Sequence, residues 1–69
     1  MNMKWFKNGR EIQKRAINEG WKMKEKIHDG IVMPENWERL VNDKWEFRNA
    51  YDGSGCAIGP KGEKMFRLW

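Results

Sequence analysis

Cys56 and His28 are each the only residue of their kind in this chain, and no other feature narrows the possible folds as much. A lone cysteine forms no intrachain disulfide. One histidine and one cysteine do not make a zinc finger or ribbon. The chain has 69 residues, so residues 1–69 are read as a single small domain. A domain this short buries only about 60% of the surface its unfolded chain exposes. Without staples, apolar burial alone must offset the ordering entropy. The sequence supplies large pieces for that purpose: Trp5, Trp21, Trp37, Trp45 and Trp69, with Phe6, Phe47, Phe66 and Tyr51. Each such ring removes roughly 150–250 Å² from water when enclosed. A homodimer that shares its core is the other route to stability.

The order of patterns along the chain predicts an α+β fold, two short helices packed on a small antiparallel β-meander. Lys4-Trp5-Phe6-Lys7 suits an edge strand. Asn8-Gly9 breaks it and opens a helix to about Glu19, with Asn8 as cap and Glu11 placed to return the capping contact. Ile12, Ala16 and Ile17 form its apolar stripe, and Gly20 supplies a left-handed stop. From Trp21 to Ile27 two patterns compete. Trp21, Met23 and Ile27 alternate with Lys22, Lys24 and Lys26, which is strand period, while Lys/Glu content favours helix. Gly20 and the alternation favour the strand. His28-Asp29-Gly30 reads as a turn, and Ile31-Val32-Met33 as extended chain before Pro34. Pro34 then fits the first turn of a second helix to Asp43, with Glu35 and Glu38 near its positive end and Trp37, Leu40 and Val41 on its buried face. Lys44 to Tyr51, Cys56 to Ile58 and Glu63 to Trp69 read as strands, separated by Asp52-Gly53-Ser54-Gly55 and Gly59-Pro60-Lys61-Gly62. The expected core is Ile12, Ala16, Ile17, Trp37, Leu40, Val41, Trp45, Phe47 and Ile58.

No constellation carries catalysis. Cys56 and His28 are the only thiol and imidazole, nothing in the sequence brings them together, and a strand cysteine is usually a small buried apolar residue. The glycines at 53, 55, 59 and 62 lead into a strand rather than a helix, so they lack the context of a phosphate loop and suit turns. Glu35 and Glu38 suit a helix start better than paired acid and base work. No cofactor and no metal site are expected. The longest strongly apolar run is Ile31-Val32-Met33, against about 20 residues for a membrane span. The segment Met1 to Lys7 lacks the apolar stretch of a leader. An unpaired cysteine agrees with a reducing compartment, and the expected location is the cytoplasm.

By elimination the chain binds something. The first expectation is a small regulator or inhibitor that docks on a protein or a protein–nucleic-acid complex, of the accessory type found in phages and mobile elements. The contact is expected at Trp5, Phe6, Arg67 and Trp69, because Trp, Tyr and Arg dominate interface hot spots and the chain ends are least committed to the core. The alternative is nucleic-acid binding. Residues 1–28 hold eight Lys/Arg against three Glu, whereas residues 29–69 hold six Lys/Arg against seven Asp/Glu. Lys4, Lys7, Arg10, Lys14, Arg15, Lys22, Lys24 and Lys26 form that basic half, interleaved with aromatics as in single-strand binders. A solvated basic face gives the same pattern.

Overall fold

A computed structural model describes residues 4–69; Met1 to Met3, part of the segment examined for a leader, lie outside the described residues. The elements run β1 (Lys4–Trp5), α1 (Gly9–Asn18), β2 (Lys22–His28), β3 (Ile31–Val41), β4 (Lys44–Asn49), β5 (Cys56–Ile58) and β6 (Lys64–Arg67). They form two three-stranded antiparallel sheets, ordered β1-β6-β5 and β2-β3-β4. The class is therefore α+β, with one helix rather than two.

The helix follows the expected reading closely. Gly9, Ile12 and Ala16 are its buried residues, at the spacing of one helical face. Asn8 holds the cap position but makes no side-chain cap hydrogen bond. Gly20 takes φ +93° just beyond the end, and Trp21 N–H donates to the Ala16 carbonyl at 3.0 Å. Ile17 is exposed, a correction to its place in the core, because the buried stripe is narrower than the apolar one.

The expected second helix over 34–43 is a strand. β3 runs through it, flanked by β2 from Lys22 to His28 and by β4 from Lys44 to Asn49. Two short turns explain the result. Asp29 and Gly30 have φ 51° and 76°, and Asn42 and Asp43 have φ 51° and 62°. Two consecutive positive φ angles match the twist of a two-residue hairpin. Asn and Asp tolerate that region better than other side-chain-bearing residues, so Asn42-Asp43 turns the chain where a helix was expected to end. A ten-residue helix is marginal without tertiary support, and here cross-strand pairing on both sides competes with it. Pro34 fits because a register shift falls beside it. Lys24 opposes Asn36 and Glu25 opposes Pro34, leaving Glu35 as an extra residue on β3. Proline is tolerated in a sheet at bulges and open edges, and β4 pairs with β3 only from Asn36 onward.

The core holds Ile12, Ala16, Trp21, Met33, Trp37, Ala50, Ala57, Met65, Phe66 and Leu68. Trp37 is 1% exposed and donates its indole N–H to the Ile58 carbonyl at 2.7 Å, so the largest core ring also ties the two sheets together. Beyond Asn49 the chain crosses between the sheets. Tyr51 bridges Ala57, Ile58 N–H donates to the Ala50 carbonyl at 2.9 Å, and the Asp52 carboxylate holds the loop between them. Ile58 is half-buried. Leu40, Val41, Trp45 and Phe47, also expected inside, are exposed. The helix that was to carry Leu40 and Val41 and to cover Trp45 and Phe47 is a strand, and among the described residues nothing lies over Leu40, Trp45 and Phe47.

Candidate docking face

Residues opposed across an antiparallel pair share a face, as do alternate residues along a strand. Those two rules, applied to the β2-β3-β4 register, sort the paired side chains of the second sheet. One face carries Met23, Trp37, Arg39, Glu46 and Arg48 and meets the rest of the molecule. Trp21 is enclosed there. The Arg39 guanidinium lies 4.3 Å from its ring centre and that of Arg48 5.6 Å. Arg39 also donates to Glu46 Oε1 at 2.6 Å and to the Glu19 carbonyl at 3.1 Å.

The opposite face is open. Leu40 opposes Trp45, and Phe47 opposes Glu38, which in turn opposes Lys22. Leu40, Trp45 and Phe47 are 54%, 58% and 55% exposed. The Trp45 and Phe47 rings stack at 6.4 Å with 24° between their planes. Lys22, Lys24 and Lys26 share this face because the extra residue lies on β3 and leaves the alternation of β2 unbroken. The strand reading of residues 21–27 therefore holds, and the three lysines form one exposed row. Farther along the same face, past the bulge, Lys26, His28, Ile31 and Met33 meet Tyr51 and Trp69 around an open groove of about 820 Å³. Tyr51 and Trp69 lie 6.0 Å apart there with their rings tilted by 50°.

The sequence-derived docking residues are dispersed. Trp5 is half-buried, 4.5 Å from the Phe66 ring, with the Arg10 guanidinium 5.5 Å from its own ring centre. Phe6 is half-buried, and its backbone N–H donates to the Met65 carbonyl at 2.9 Å. Arg67 is exposed on β6 opposite Lys4. Trp69 is exposed and borders the groove. Of the alternative set, Lys4 lies on β1, Lys7 in the turn after it, and Arg10, Lys14 and Arg15 on exposed positions of α1; only Lys22, Lys24 and Lys26 join the aromatic face. Cys56 is buried in β5, while His28 is exposed at a hairpin end, 3.4 Å from the Asp29 carboxylate. Glu38 lies on a strand between Lys22 and Phe47, not at a helix start.

Leu40, Trp45 and Phe47 escaped the sequence reading as surface residues because Leu40 was expected on the buried face of a helix and the two rings on the sheet beneath it. The signal that could have found them is Asn42-Asp43, a pair able to turn the chain between two runs rich in aromatic and branched residues. Among the described residues no group of three or more His, Cys, Asp or Glu side chains is placed to hold a metal, and no helix is long and apolar enough to cross a membrane. No protein-family model, curated protein or solved structure matches the chain.

Proposed function

We propose that this chain is a non-enzymatic interaction protein that docks on a protein partner, and modulates or inhibits it, through the open face of β2-β3-β4. The observation that supports this reading is the exposed, cross-strand cluster of Leu40, Trp45 and Phe47 on an antiparallel sheet. Covering roughly 100 Å² on each of the two rings contributes about 2–3 kcal/mol per ring at 25 cal/mol per Å². Two rings and a leucine are enough for an interface centre, and their row of lysines suits a polar rim.

A second reading has one observation in its favour. Lys22, Lys24 and Lys26 share the face of Trp45 and Phe47, which is the combination of cations and stacking rings that single-stranded nucleic acid uses. Against it stands Glu38, whose carboxylate sits between Lys22 and Phe47 in the path of a phosphate backbone.

One pair of experiments separates these readings. Tagged parent protein and a Trp45→Ala/Phe47→Ala variant are used to capture partners from lysate, with and without nuclease. The docking reading expects proteins that stay bound after nuclease and are lost with the variant. Titration against mixed oligonucleotides at two salt concentrations supplies the complement. Each phosphate contact to a single strand lowers log affinity by about 0.7 per unit of log salt, so three to five contacts lose roughly ten- to hundredfold over a fourfold rise in salt. Tight oligonucleotide binding that collapses in this way, and is abolished by replacing Lys22, Lys24 and Lys26, would overturn protein docking in favour of the second reading.

A further inference from the structure

β4 is the outer strand of its sheet, paired with β3 on one side only. The two-residue turn at Asn42-Asp43 makes Val41 and Lys44 the first hydrogen-bonded pair of that hairpin. Such pairs alternate with non-bonded ones. Lys44, Glu46 and Arg48 therefore bond inward to β3, while Trp45, Phe47 and Asn49 direct their N–H and C=O groups outward. Two contacts mark the same phase. Ala50 N–H donates to the Glu35 carbonyl at 3.2 Å, continuing the inward series. The Phe47 carbonyl accepts a hydrogen bond from its neighbour's side chain, Arg48 Nη1, at 2.7 Å.

We propose that a second copy of this chain covers this edge, β4 pairing antiparallel with β4 about a two-fold axis at Phe47. A bonded pair on the axis requires an outward-facing residue, which leaves Trp45, Phe47 and Asn49. Only Phe47 sets all three outward residues of one copy against all three of the other: Phe47 against Phe47, and Trp45 against Asn49 twice. That register makes about six backbone hydrogen bonds, two per bonded pair. Between them Glu46, whose Oε1 also accepts from Arg39 of its own chain, opposes Arg48 of the second copy, which exchanges its Phe47 carbonyl contact for the carboxylate. This happens twice, at non-bonded positions where side chains approach most closely. Centring the axis on Trp45 would draw Asp43 onto the edge, and Asp43 has φ 62° and is not extended. Centring it on Asn49 runs past the end of the strand.

The other edge of the same sheet does not offer this. His28 and Ile31 close the β2-β3 hairpin, so Met23, Glu25 and Ile27 face outward on β2. Self-pairing about Glu25 opposes Lys24 to Lys26, and self-pairing about Met23 opposes Lys22 to Lys24. Lysine-rich edges are how natural sheets prevent such contacts. β4 instead alternates both signs, Lys44, Glu46 and Arg48, in a self-complementary order. The pairing uses the edge of the sheet, so it stands independently of docking on its open face, which it would make continuous across two copies.

The test is molar mass by light scattering or sedimentation over a concentration series from about 10 μM to 1 mM, a range suited to small, weak interfaces. The parent should rise from 8.3 kDa toward twice that mass. Phe47→Pro removes the N–H on the axis while leaving every inward bond, and proline is tolerated on an edge strand. It should stay monomeric at all concentrations with unchanged circular dichroism. Glu46→Arg and Arg48→Glu each oppose like charges and should weaken self-association at least tenfold, whereas mixing the two variants restores opposite charges at both positions and should recover the dimer. The mixing experiment remains decisive if Phe47→Pro fails to fold. A parent that stays at 8.3 kDa throughout overturns the proposal. So does a dimer that persists in folded Phe47→Pro, or one indifferent to mixing the charge variants. A monomeric parent that still captures proteins through Trp45 and Phe47 would leave the docking reading standing without the dimer.

Discussion

Two strands of similar composition meet opposite fates in this molecule. In β6, Met65 and Phe66 are buried, with α1 on one side and β1 and β5 as neighbours. In β4, Trp45 and Phe47 stand more than half exposed, although they are no smaller. The difference lies in what covers each sheet. Among the described residues one helix is available, and it packs on β6. The second sheet is anchored through Trp37 and the Trp21–Arg39 stack on one face; on the other, Met33 is buried near Tyr51 and Trp69, but among the described residues no layer lies over Leu40, Trp45 and Phe47. A chain with so little core would be expected to hide every large ring, so rings left outside point to a use outside the fold. Stability should therefore reside in the first sheet and its anchor, and binding in the second.

The strongest way to break this division is Trp37→Ala. Trp37 is fully enclosed and bonded to the Ile58 carbonyl. Truncating a buried tryptophan costs about 3–5 kcal/mol, comparable to the whole stability of a domain this size at roughly 0.05–0.15 kcal/mol per residue. Urea or thermal melts should show an unfolded or barely folded variant. A melt within about 1 kcal/mol of the parent would show that the sheets do not depend on this anchor.

Trp45→Ala/Phe47→Ala should behave in the opposite way. The loss is the stacked pair, about 0.5–1.5 kcal/mol, with the fold intact by circular dichroism. Protein capture should be lost while the melt barely shifts. If the double variant unfolds, the rings serve the fold and the comparison between the sheets fails.

How much of this was legible beforehand differs between the same two regions. α1, β5 and the edge position of β1 follow from local signals that agree with one another: Gly9 and Gly20 around a helical stripe, and Gly-rich turns around Cys56–Ile58. The alternation of Lys22, Lys24 and Lys26 likewise identified β2. β3 was legible only over Ile31 to Met33, which read as extended; beyond them Pro34, Glu35 and Glu38 make a good helix start and Trp37, Leu40 and Val41 keep helical spacing. Its strand identity rests on Asn42-Asp43 and on partners distant in sequence, which no local window contains. That single misreading moved Leu40, Trp45 and Phe47 into the core and left only the chain ends as candidates for the contact.

Leu40→Ala isolates the misread element. A buried leucine on a helix would cost about 2–5 kcal/mol. On the exposed face of β3 the cost should stay near 0.5 kcal/mol, since more than half of its surface already meets water. Matched urea melts of parent and variant distinguish the two values easily, and a loss above about 2 kcal/mol would restore a cover over this face.

The smallest effect concerns the joint between the sheets. Asp52 Oδ1 accepts hydrogen bonds from Ser54 N–H at 2.8 Å, from the Ser54 hydroxyl at 2.8 Å and from Cys56 N–H at 3.3 Å, and Lys64 Nζ lies 4.0 Å from Oδ2. The Ser54 N–H contributes most to holding the carboxyl below its ordinary value of 3.8, followed by the Ser54 hydroxyl; burial opposes them, and the Cys56 N–H and Lys64 add smaller contributions in the lowering direction. A carboxylate whose folded pKa is depressed stabilises the fold above its ordinary pKa, and that contribution disappears as pH falls through the folded value. Asp52→Asn keeps an acceptor oxygen but neither the charge nor the titration. The variant should be slightly less stable than the parent at neutral pH, and the gap should close as pH falls from about 5 to 2. The loop is exposed, so water competes for the same donors and the gap stays small. Paired urea melts across that range check the sign. A gap that is constant, or that widens toward acid, would mean that the negative charge on Asp52 does not hold the crossing from β4 to β5, and that the two sheets are joined by Trp37 and the backbone alone.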